Sequence, residues 1–537
     1  MVNISHPRPR RDSKNIDAWL VGSGVASLTA AIHLMKDANV PAGNIHVLDS
    51  SSGSGGGLKT HGNAMDGYFL PMDGNPHFHG ECIERLLALI PSQMDGSGSV
   101  MKDIRDREKT EEELMPAQAR GIKQGDKGAE VFHPHGLQVG MRHRMTLVSL
   151  MMENEMSLGM KKIEDMFEKS FFDTSFWMLW STTFALQPWH SAIEFKRHLR
   201  KYLEDIGALN SVKTTHRTEY NFFESALHPL TDYLKQEGVD FRFNTRVTDL
   251  QCYPDGDPTT MSAIEMLQDN KEELITVDPT DIVIMGLGSV NAGVSLGTNT
   301  SPPPPLQSNW QDLMTDDWKL WEKMSKKSLK FGDPTNFLSR IQESTVETFT
   351  TTFKGGDFPN AYEEITHDKP GTGSLLSLTG SSWQMTLCFP HQPVFPDQPL
   401  DTTVMMGYGL NPTKPGEYVK KPMCECTGEE ILREALAHLG IPEDNILSNS
   451  KTIPCGMPLG TAPLLTRGAH DRPTVLPSHA TNFACVGQFV EIPGDTTMEV
   501  EYSVRGAQTA VADLMGLPEK PPKPPRSLLM EVFDLII

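Results

Sequence analysis

Short apolar runs and a glycine turn near the N-terminus predict a strand, a helix and a second strand. The run Ala18-Trp19-Leu20-Val21 leads into the turn Gly22-Ser23-Gly24-Val25-Ala26-Ser27 and a helical stretch, and a second run, Ile45-His46-Val47-Leu48, ends in Asp49. In such a unit the first glycine allows a tight turn, the second lets the backbone approach a pyrophosphate, and a small third residue lets the helix pack closely on the strand. The helix N-terminus then faces the phosphates.

This order of elements favours a dinucleotide site over an ordinary strand-to-helix turn. Glycine turns are common in any fold, but here strand, turn, helix, strand and acid follow one another at the right spacing. We therefore predict that Gly22, Gly24 and Ser27 surround the cofactor phosphates and that Asp49 accepts hydrogen bonds from a ribose hydroxyl.

Three later segments have the pattern of further parts of the same nucleotide-binding fold. Residues 239–252 alternate between polar and apolar positions, residues 281–288 are an apolar run that ends in glycine, and residues 483–514 have the pattern of a strand, a loop and a helix. Two-dinucleotide-fold flavoproteins have this discontinuous layout, with a cap or substrate domain inserted between the pieces. We therefore predict an α/β flavoprotein with a Rossmann-like domain that binds FAD rather than NAD, and with Val247 and Gly288 as further cofactor contacts.

The predicted domain boundaries follow from the position of these pieces. The FAD domain comprises residues 14–92, 205–300 and 475–517, the mixed α+β substrate or cap domain comprises residues 93–204 and 306–474, and a Pro-rich linker and tail occupy residues 518–537. Residues 93–130 are polar, glycine-rich and charged, which predicts a long surface excursion or a flexible insertion. The apolar C-terminal tail is most simply a short docked helix, with peripheral membrane contact or a dimer seam as alternatives.

Composition narrows the class of protein. A chain of 537 residues is long enough for two to four domains. Its formal net charge of −21 argues against a nucleic-acid partner and against broad adhesion to an anionic membrane. No signal-like stretch and no long apolar run occurs, and the seven cysteines lack C-x-x-C spacing, so we expect reduced thiols, no metal site and a cytoplasmic location.

Longer and more unusual strings are spread from the N-terminus to beyond residue 500. They are the 22–49 unit, Gly55-Gly56-Gly57, and residues 81–82, 90–92, 182–197, 217–221, 331–334, 381–385, 487–493 and 501–505. In these strings the chain resembles the oleate hydratase family, also called the myosin-cross-reactive antigen family. The resemblance implies an FAD-dependent hydro-lyase that adds water to a cis double bond of an unsaturated fatty acid. It also implies that Gly56 and Gly57 lie at the cofactor, and we expect a homodimer.

The family's water-activating glutamate is replaced in this chain. Hydration of an isolated alkene needs a proton donor at one carbon and a base-activated water at the other. The family has that glutamate in an Arg-Gly-Gly-Arg-Glu-Met string, where this chain has residues 71–76, Pro-Met-Asp-Gly-Asn-Pro. An ungapped alignment puts Asn75 in its place, and a shift of two residues puts Asp73 there. An amide is no general base, whereas the carboxylate of Asp73 is able to act as one. The neighbouring candidates are His77, His79 and Glu81.

The family's proton-donating tyrosine aligns with His198. Histidine is a credible acid near neutral pH, so the resemblance makes His198 the candidate proton donor. The alternative is a histidine that simply completes its hydrogen bonds on a helix face.

The polar groups that hold the fatty-acid carboxylate in the family are replaced as well. The family's Thr, Asn and His align with Cys388, Pro390 and Val394, and none of these three can hold a carboxylate. His391 stands where the family has an arginine and offers one positive contact, and Trp189, in a shared Trp-His-Ser string, is a further candidate substrate contact. Either the carboxylate is held elsewhere, or the substrate is not a free fatty acid.

Three functions remain open on the sequence. The first is an FAD-dependent hydratase acting on a fatty acid or related lipid-like chain, with Asp73 as base and His198 as acid. The second is an FAD-dependent isomerase or oxidoreductase acting on a lipid or polyketide-like substrate. The third is a catalytically silent protein that binds FAD and a hydrophobic small molecule.

Overall fold

The computed structural model describes residues 10–72, 80–92, 98–110, 120–125, 128–132, 139–202, 218–306 and 309–524. The strands are β1 (Ala18–Val21), β2 (Ile45–Leu48), β3 (His61–Asn63), β4 (Gly67–Phe69), β5 (Gly121–Gly125), β6 (Gly128–Phe132), β7 (Asp240–Arg242), β8 (Thr245–Tyr253), β9 (Thr260–Gln268), β10 (Lys271–Thr276), β11 (Ile282–Gly286), β12 (Ser295–Leu296), β13 (Val346–Lys354), β14 (Leu375–Leu378), β15 (Met385–Cys388), β16 (Thr402–Gly409), β17 (Ser450–Met457) and β18 (Phe483–Val486). The α-helices are α1 (Val25–Lys36), α2 (Glu81–Leu89), α3 (Val100–Thr110), α4 (Met141–Met152), α5 (Glu155–Leu158), α6 (Ser175–Phe184), α7 (Ala192–Tyr202), α8 (His228–Glu237), α9 (Asp316–Lys327), α10 (Thr335–Leu338), α11 (Ile341–Ser344), α12 (Asp357–Thr366), α13 (Gly428–Leu439), α14 (Asp444–Ser448) and α15 (Val500–Leu514).

A five-stranded parallel sheet forms the centre of the nucleotide-binding part. Its order is β18-β11-β1-β2-β7, and every neighbouring pair is parallel. All four residues of β1 are buried, as expected of a strand covered on both faces, and α1 and α15 pack against each other beside the sheet. Because strands from the beginning, middle and end of the chain meet here, the predicted discontinuous Rossmann-like fold is confirmed.

The predicted strand over residues 239–252 is in fact two strands. Strand β7 completes the parallel sheet, whereas β8 pairs with β9 in a separate three-stranded antiparallel sheet, β10-β9-β8. Between them Asn244 has a positive φ of 51°, a left-handed conformation that ends one strand and redirects the chain into the next. Alternation alone did not reveal this break.

An eight-stranded mixed sheet forms the second part, in the order β12-β17-β13-β16-β15-β14-β5-β6. Helix α13 packs over one face, where Phe349 and Phe353 of β13 enter an apolar core. On the other side the β3–β4 hairpin contacts the sheet, since the N–H of Tyr68 donates to Oγ1 of Thr352 at 2.9 Å. The hairpin therefore packs against the second part of the molecule.

The prediction of a surface excursion over residues 93–130 was wrong for much of that segment. Residues 100–110 form α3, and β5 and β6 extend the eight-stranded sheet. Val100, Met101 and Ile104 are buried in the same core as the parallel sheet, although the rest of the helix is polar. Because charged residues on the outer face dominate the composition, three inward-facing residues were easily overlooked.

Helix α9 shows a similar difference from the predicted domain boundaries. The sequence assigns it to the second domain, yet Trp318 and Trp321 are fully buried in the core of the parallel sheet.

The rest of the partition, the homodimer and the cytoplasmic location stay predictions, and the C-terminal tail lies outside the described residues. All seven cysteines are described and free, and no described helix is long and apolar enough to span a bilayer.

Candidate functional site

A cavity of about 550 Å³ lies at the carboxyl ends of β1 and β11. Ligands of open α/β sheets bind at this edge, in the crevice outside the strand ends. The structure brings together there all eight residues that the sequence assigned to the cofactor, namely Gly22, Gly24, Ser27, Asp49, Gly56, Gly57, Val247 and Gly288.

The first glycine turn has the geometry that a phosphate site needs. Gly22 has a φ of +94°, which strains any other residue, and its N–H donates to the carbonyl of Leu48 at 2.7 Å. Gly24 is the N-cap of α1 and provides no side-chain hydrogen bond to the helix. A Cβ at Gly24 would meet no atom within 4 Å, so this position opens into the cavity. The first amides of α1 are therefore suited to an anionic group.

A second glycine loop packs against the first. The N–H of Gly55 donates to the carbonyl of Ser23 at 3.0 Å. A Cβ at Gly56 would lie 3.1 Å from Cα of Gly24, and one at Gly57 would lie 1.7 Å from Nδ2 of Asn291. A side chain at Gly56 would therefore crowd the first loop, and one at Gly57 would clash with Asn291.

The carboxylate of Asp49 connects the end of β2 to the glycine turn. One of its oxygens accepts from the N–H and the hydroxyl of Ser23, at 2.7 and 2.6 Å, and the other accepts from the N–H and the hydroxyl of Ser51, at 2.7 and 2.5 Å. The side-chain-free loops, the uncapped helix amides and this acid together fit a dinucleotide. The contact between Asp49 and a ribose hydroxyl stays a prediction.

His198 lies in α7 and is almost completely buried, with 1% of its surface exposed. Its Nδ1 lies 2.7 Å from the carbonyl oxygen of Glu194, and its ring lies 4.8 Å from that of Phe184. Since a carbonyl can only accept, Nδ1 carries the hydrogen and Nε2 is the acceptor of the neutral ring. Burial lowers the pKa of His198, while the charge of Glu499 partly opposes that effect.

Helix α7 is tied to the cavity through its next turn. Nζ of Lys201 lies 2.6 Å from a carboxylate oxygen of Glu499, the residue that precedes α15 and lines the cavity. His198 itself is not among the described residues that line the cavity. The printed link between its helix and the cavity is the pair of Lys201 and Glu499, and the role of His198 as proton donor stays a prediction.

A buried charge network also holds α7, one turn before His198. Glu194 is completely buried, and its carboxylate oxygen lies 2.6 Å from Nη1 of Arg467 and 3.6 Å from Nη1 of Arg472. Burial alone would raise the pKa of Glu194, but Arg467, Arg472 and Arg197 lower it overall. Glu194 is therefore an ionised structural residue.

The three candidate substrate contacts do not line the described part of the cavity. Cys388 ends β15, its thiol donates to the carbonyl of Gly373 at 3.5 Å, and burial raises its pKa to about 12. His391 lies partly buried three residues later. Nε1 of Trp189 donates to the carbonyl of Glu343 at 2.9 Å, which is a structural contact. Cys388 and His391 thus share one segment, and Trp189 lies against α11.

Among the candidate bases, Glu81 lies within the described residues. Asp73 and Asn75 lie outside the described residues, as do His77 and His79, so their roles stay predictions. Glu81 is exposed at the start of α2.

Glu417, Glu434 and His438 form a group whose ligand atoms lie within 4.8 Å of one another. The carboxylate of Glu434 already accepts the N–H groups of residues 417, 418 and 419, and Glu417 accepts the N–H of Ser382. These bonds anchor a loop to α13.

Arg120 and Glu347 are among the buried charged residues that the sequence did not reveal. Arg120, 2% exposed, has no hydrogen-bond partner for Nε and Nη1 among the described residues, and Glu347 of β13 has none for either carboxylate oxygen. Burial lowers the pKa of Arg120 to about 10 and raises that of Glu347 to about 8. The position of Glu347 in a strand otherwise rich in Thr and Phe could have indicated that it is buried. Arg120 offered no such signal, because it lies in the segment for which a surface excursion is predicted.

Comparison with known proteins gives one consistent result over most of the chain. The profile of a family described as "MCRA family" matches residues 15–512. The chain is 30% identical to a protein named oleate hydratase from Streptococcus pyogenes serotype M49 (strain NZ131) over 532 residues, 96% of this chain and 88% of the other. It is 28% identical to a linoleate hydratase from Lactiplantibacillus plantarum over 543 residues, 93% of this chain and 94% of the other.

Solved structures agree on the fold. An oxidoreductase from Methanosarcina mazei has a TM-score of 0.50 at 11% identity, covering 92% of this chain and 99% of its own. Cyclohexylamine oxidase from Brevibacterium oxydans IH-35A has a TM-score of 0.51 at 13% identity, covering 94% and 99%. At such low identity the likeness concerns the fold alone.

Proposed function

The chain belongs to the MCRA family, the myosin-cross-reactive antigen family that its sequence resembles, and we propose that it is a hydro-lyase adding water to a carbon–carbon double bond of an unsaturated fatty acid. The observation that carries this proposal is the match to two fatty-acid hydratases, which extends over more than nine-tenths of this chain. It includes both glycine loops and the helices beside the cavity. A fatty acid is therefore the substrate class to test first.

We propose that the cavity holds FAD. The turn at Gly22 and Gly24 and the first amides of α1 would hold the pyrophosphate, and Asp49 would hold the ribose. When bound, FAD would supply a rigid planar ring system in the site. Because hydration is redox-neutral, FAD would supply no net electrons to the reaction.

The reaction itself needs two proton transfers and no leaving group. One alkene carbon gains a proton while a water oxygen bonds to the other carbon, and that water then loses a proton, so the product is the substrate plus one water. We propose Asp73 as the base that takes the proton from water and His198 as the acid that gives one to the alkene. Burial lowers the pKa of His198, so its protonated ring is a stronger acid that is less populated at neutral pH.

Incubation of FAD-loaded protein with oleate and linoleate in ¹⁸O-labelled water tests this function. We expect products heavier by one labelled water, with the flavin spectrum the same before and after turnover. A mass-neutral shift of the double bond would indicate an isomerase instead, and bleaching of the flavin by substrate would indicate redox chemistry. The same protein stripped of FAD is the control, and it should form no product.

A further inference from the structure

Two residues of α13 and one residue of the loop before it bring three potential ligand atoms together. Glu434 and His438 are four residues apart and share one face of the helix, and Glu417 lies in the segment 410–427 between β16 and α13. Nε2 of His438 lies 3.3 Å from Oε1 of Glu434 and 3.4 Å from Oε2 of Glu417, and the ligand atoms of all three lie within 4.8 Å of one another. The three side chains therefore converge on one small space.

The imidazole of His438 is buried without completing its hydrogen bonds. Its side chain is 5% exposed, and Nε2 makes no hydrogen bond with a described residue, although two carboxylate oxygens lie close to it. The ring of Tyr418 packs edge-on against the imidazole, with the ring centroids 5.0 Å apart, and limits its rotation. A buried nitrogen normally has a partner, and the neutral imidazole is the commonest metal ligand in proteins.

Backbone and hydroxyl donors hold both carboxylates in place. The oxygens of Glu434 accept the N–H groups of residues 417, 418 and 419, one at Oε1 and two at Oε2, at 2.7 to 3.0 Å. The carboxylate of Glu417 accepts the N–H and the hydroxyl of Ser382. Gly416 lets the loop come this close, because a Cβ there would lie 2.9 Å from Oε1 of Glu434. Outer hydrogen bonds of this kind orient the ligands of metal sites, and Oε1 of Glu434, with one N–H donor, keeps a lone pair for an ion.

The described surroundings of the two carboxylates supply little positive charge. Among the described residues, His438 is the only basic group within ion-pair distance of Glu417 or Glu434. Lys421, in the same loop, is paired with Glu430 instead, at 2.6 Å. Two carboxylates this close repel each other in a largely buried place, and a divalent cation between them removes the repulsion.

The separations and the mixture of ligand types fit zinc. Two ligands at about 2.0–2.1 Å from a tetrahedral ion are about 3.3–3.4 Å apart, and the two distances from Nε2 of His438 are 3.3 and 3.4 Å. Ca²⁺ and Mg²⁺ bind through oxygen ligands, so an imidazole disfavours them. The side chain of Glu417 is 33% exposed, so solvent reaches the group and can supply a further ligand.

We propose that Glu417, Glu434 and His438 bind one Zn²⁺ ion, with a water molecule as the fourth ligand, and that the ion fastens the loop to α13. None of the three residues lines the cofactor cavity, so the site is separate from the proposed hydration and its test needs no fatty acid. The expectation of no metal site rests on the spacing of the cysteines, whereas the ligands here are two carboxylates and an imidazole.

Zinc titration of the FAD-loaded protein, after dialysis against EDTA, tests the site. We expect the wild type to bind one Zn²⁺ ion tightly, and Glu417→Gln and His438→Gln to weaken that binding by about 100-fold or more, because each removes a ligand. Glu417→Gln keeps the shape of a partly exposed side chain and is therefore the milder change to the fold. The matched control is Glu429→Gln on the same helix, which removes a carboxylate already paired with Arg433, at 2.9 Å, and it should bind zinc as the wild type does.

Two further measurements separate the proposed site from structural support and from the cysteines. Zn²⁺ should raise the melting temperature of the wild type and of Glu429→Gln but not that of Glu417→Gln, and equal shifts in all three would overturn the proposal. Bound Co²⁺ should give the intense visible bands of a tetrahedral ion, and a near-ultraviolet thiolate band would overturn the proposal by placing the metal at a cysteine. A wild type that binds no zinc, or both ligand variants binding zinc as tightly as the wild type, would also overturn it and leave His438 as the counter-charge of the two carboxylates.

Discussion

Ser23 donates both its N–H and its hydroxyl to a single carboxylate oxygen of Asp49, at 2.7 and 2.6 Å. The acid at the end of β2 thereby fixes the turn that follows β1. One side chain thus links the two parts of the cofactor site, the phosphate turn and the ribose position.

Asp49→Asn should weaken both the turn and FAD binding. The amide offers one acceptor oxygen and sets an NH₂ group against serine donors, so we expect FAD affinity to fall by about ten-fold or more and apoprotein stability to fall by about 1–3 kcal/mol. Flavin fluorescence titration and urea unfolding measure the two effects. Asp232→Asn, an exposed change on α8, is the control. Equal FAD affinity in Asp49→Asn and wild type would remove Asp49 from the cofactor site.

Gly24→Ala should separate cofactor binding from folding. The added methyl group meets no atom within 4 Å in the protein and points to open space at the cavity. We therefore expect apoprotein stability within about 1 kcal/mol of the wild type, because the backbone there suits alanine, but FAD affinity at least about ten-fold weaker. Gly43→Ala, which also meets no atom within 4 Å and lies away from the cavity, should change neither. If Gly24→Ala binds FAD normally, the pyrophosphate lies elsewhere.

The cofactor half of the site was predictable because each task there depends on local chain geometry. Gly22 must turn immediately after β1, and Asp49 must end β2, so order and spacing along the chain already place them together. Contacts between residues far apart in the chain have no such signal. Arg120 and Cys388 are far apart in sequence and meet only because β14 pairs with both β5 and β15.

Local sequence patterns also gave wrong predictions where a single residue or one face of a helix determines the structure. Asn244 breaks a continuous alternating pattern through its left-handed backbone, and α3 buries only a few apolar positions of an otherwise polar helix. Both outcomes depend on tertiary packing, which supplies the energy for conformations that sequence preferences alone do not favour.

Glu347 should make the protein less stable as the pH rises. Burial raises its pKa to about 8 in the folded protein, whereas in the unfolded chain it titrates near 4.5. At a pH between these two pKa values the folded state holds a proton that the unfolded state has lost. The contribution to stability is therefore largest below the unfolded pKa of 4.5, and it falls as the pH rises through the folded pKa of about 8.

Glu347→Gln removes this titration. We compare the free energy of unfolding of Glu347→Gln with that of the wild type, measured by urea unfolding at each pH. The variant should gain on the order of a few kcal/mol over the wild type between pH 5 and pH 8.5. Glu272→Gln, on the exposed face of β10, should show no such trend. A constant difference between Glu347→Gln and wild type at every pH would show that the carboxyl does not titrate in this range.

His198→Gln tests the proton donor. The pKa of His198 is held below the usual 6.5 by burial, so the fraction of protonated rings grows as the pH falls. If the protonated ring is the acid, wild-type kcat should rise as the pH is lowered from 8 to 6. We expect His198→Gln to lose that rise and to lower kcat by about 10²–10⁴-fold, with KM and FAD content unchanged.

The matched variant is Tyr202→Phe, one turn further along α7, which keeps the aromatic ring that stacks on Phe184 at 4.8 Å. It should retain the wild-type kcat and pH profile, because it removes only a hydroxyl. The opposite pattern, a slow Tyr202→Phe beside a normal His198→Gln, would assign the proton donor to the phenol. Nδ1 of His198 donates to the carbonyl of Glu194 in the wild type and in Tyr202→Phe, and the side-chain amide introduced by His198→Gln is also a donor. The helix should therefore stay in place, and the comparison should report on chemistry rather than folding.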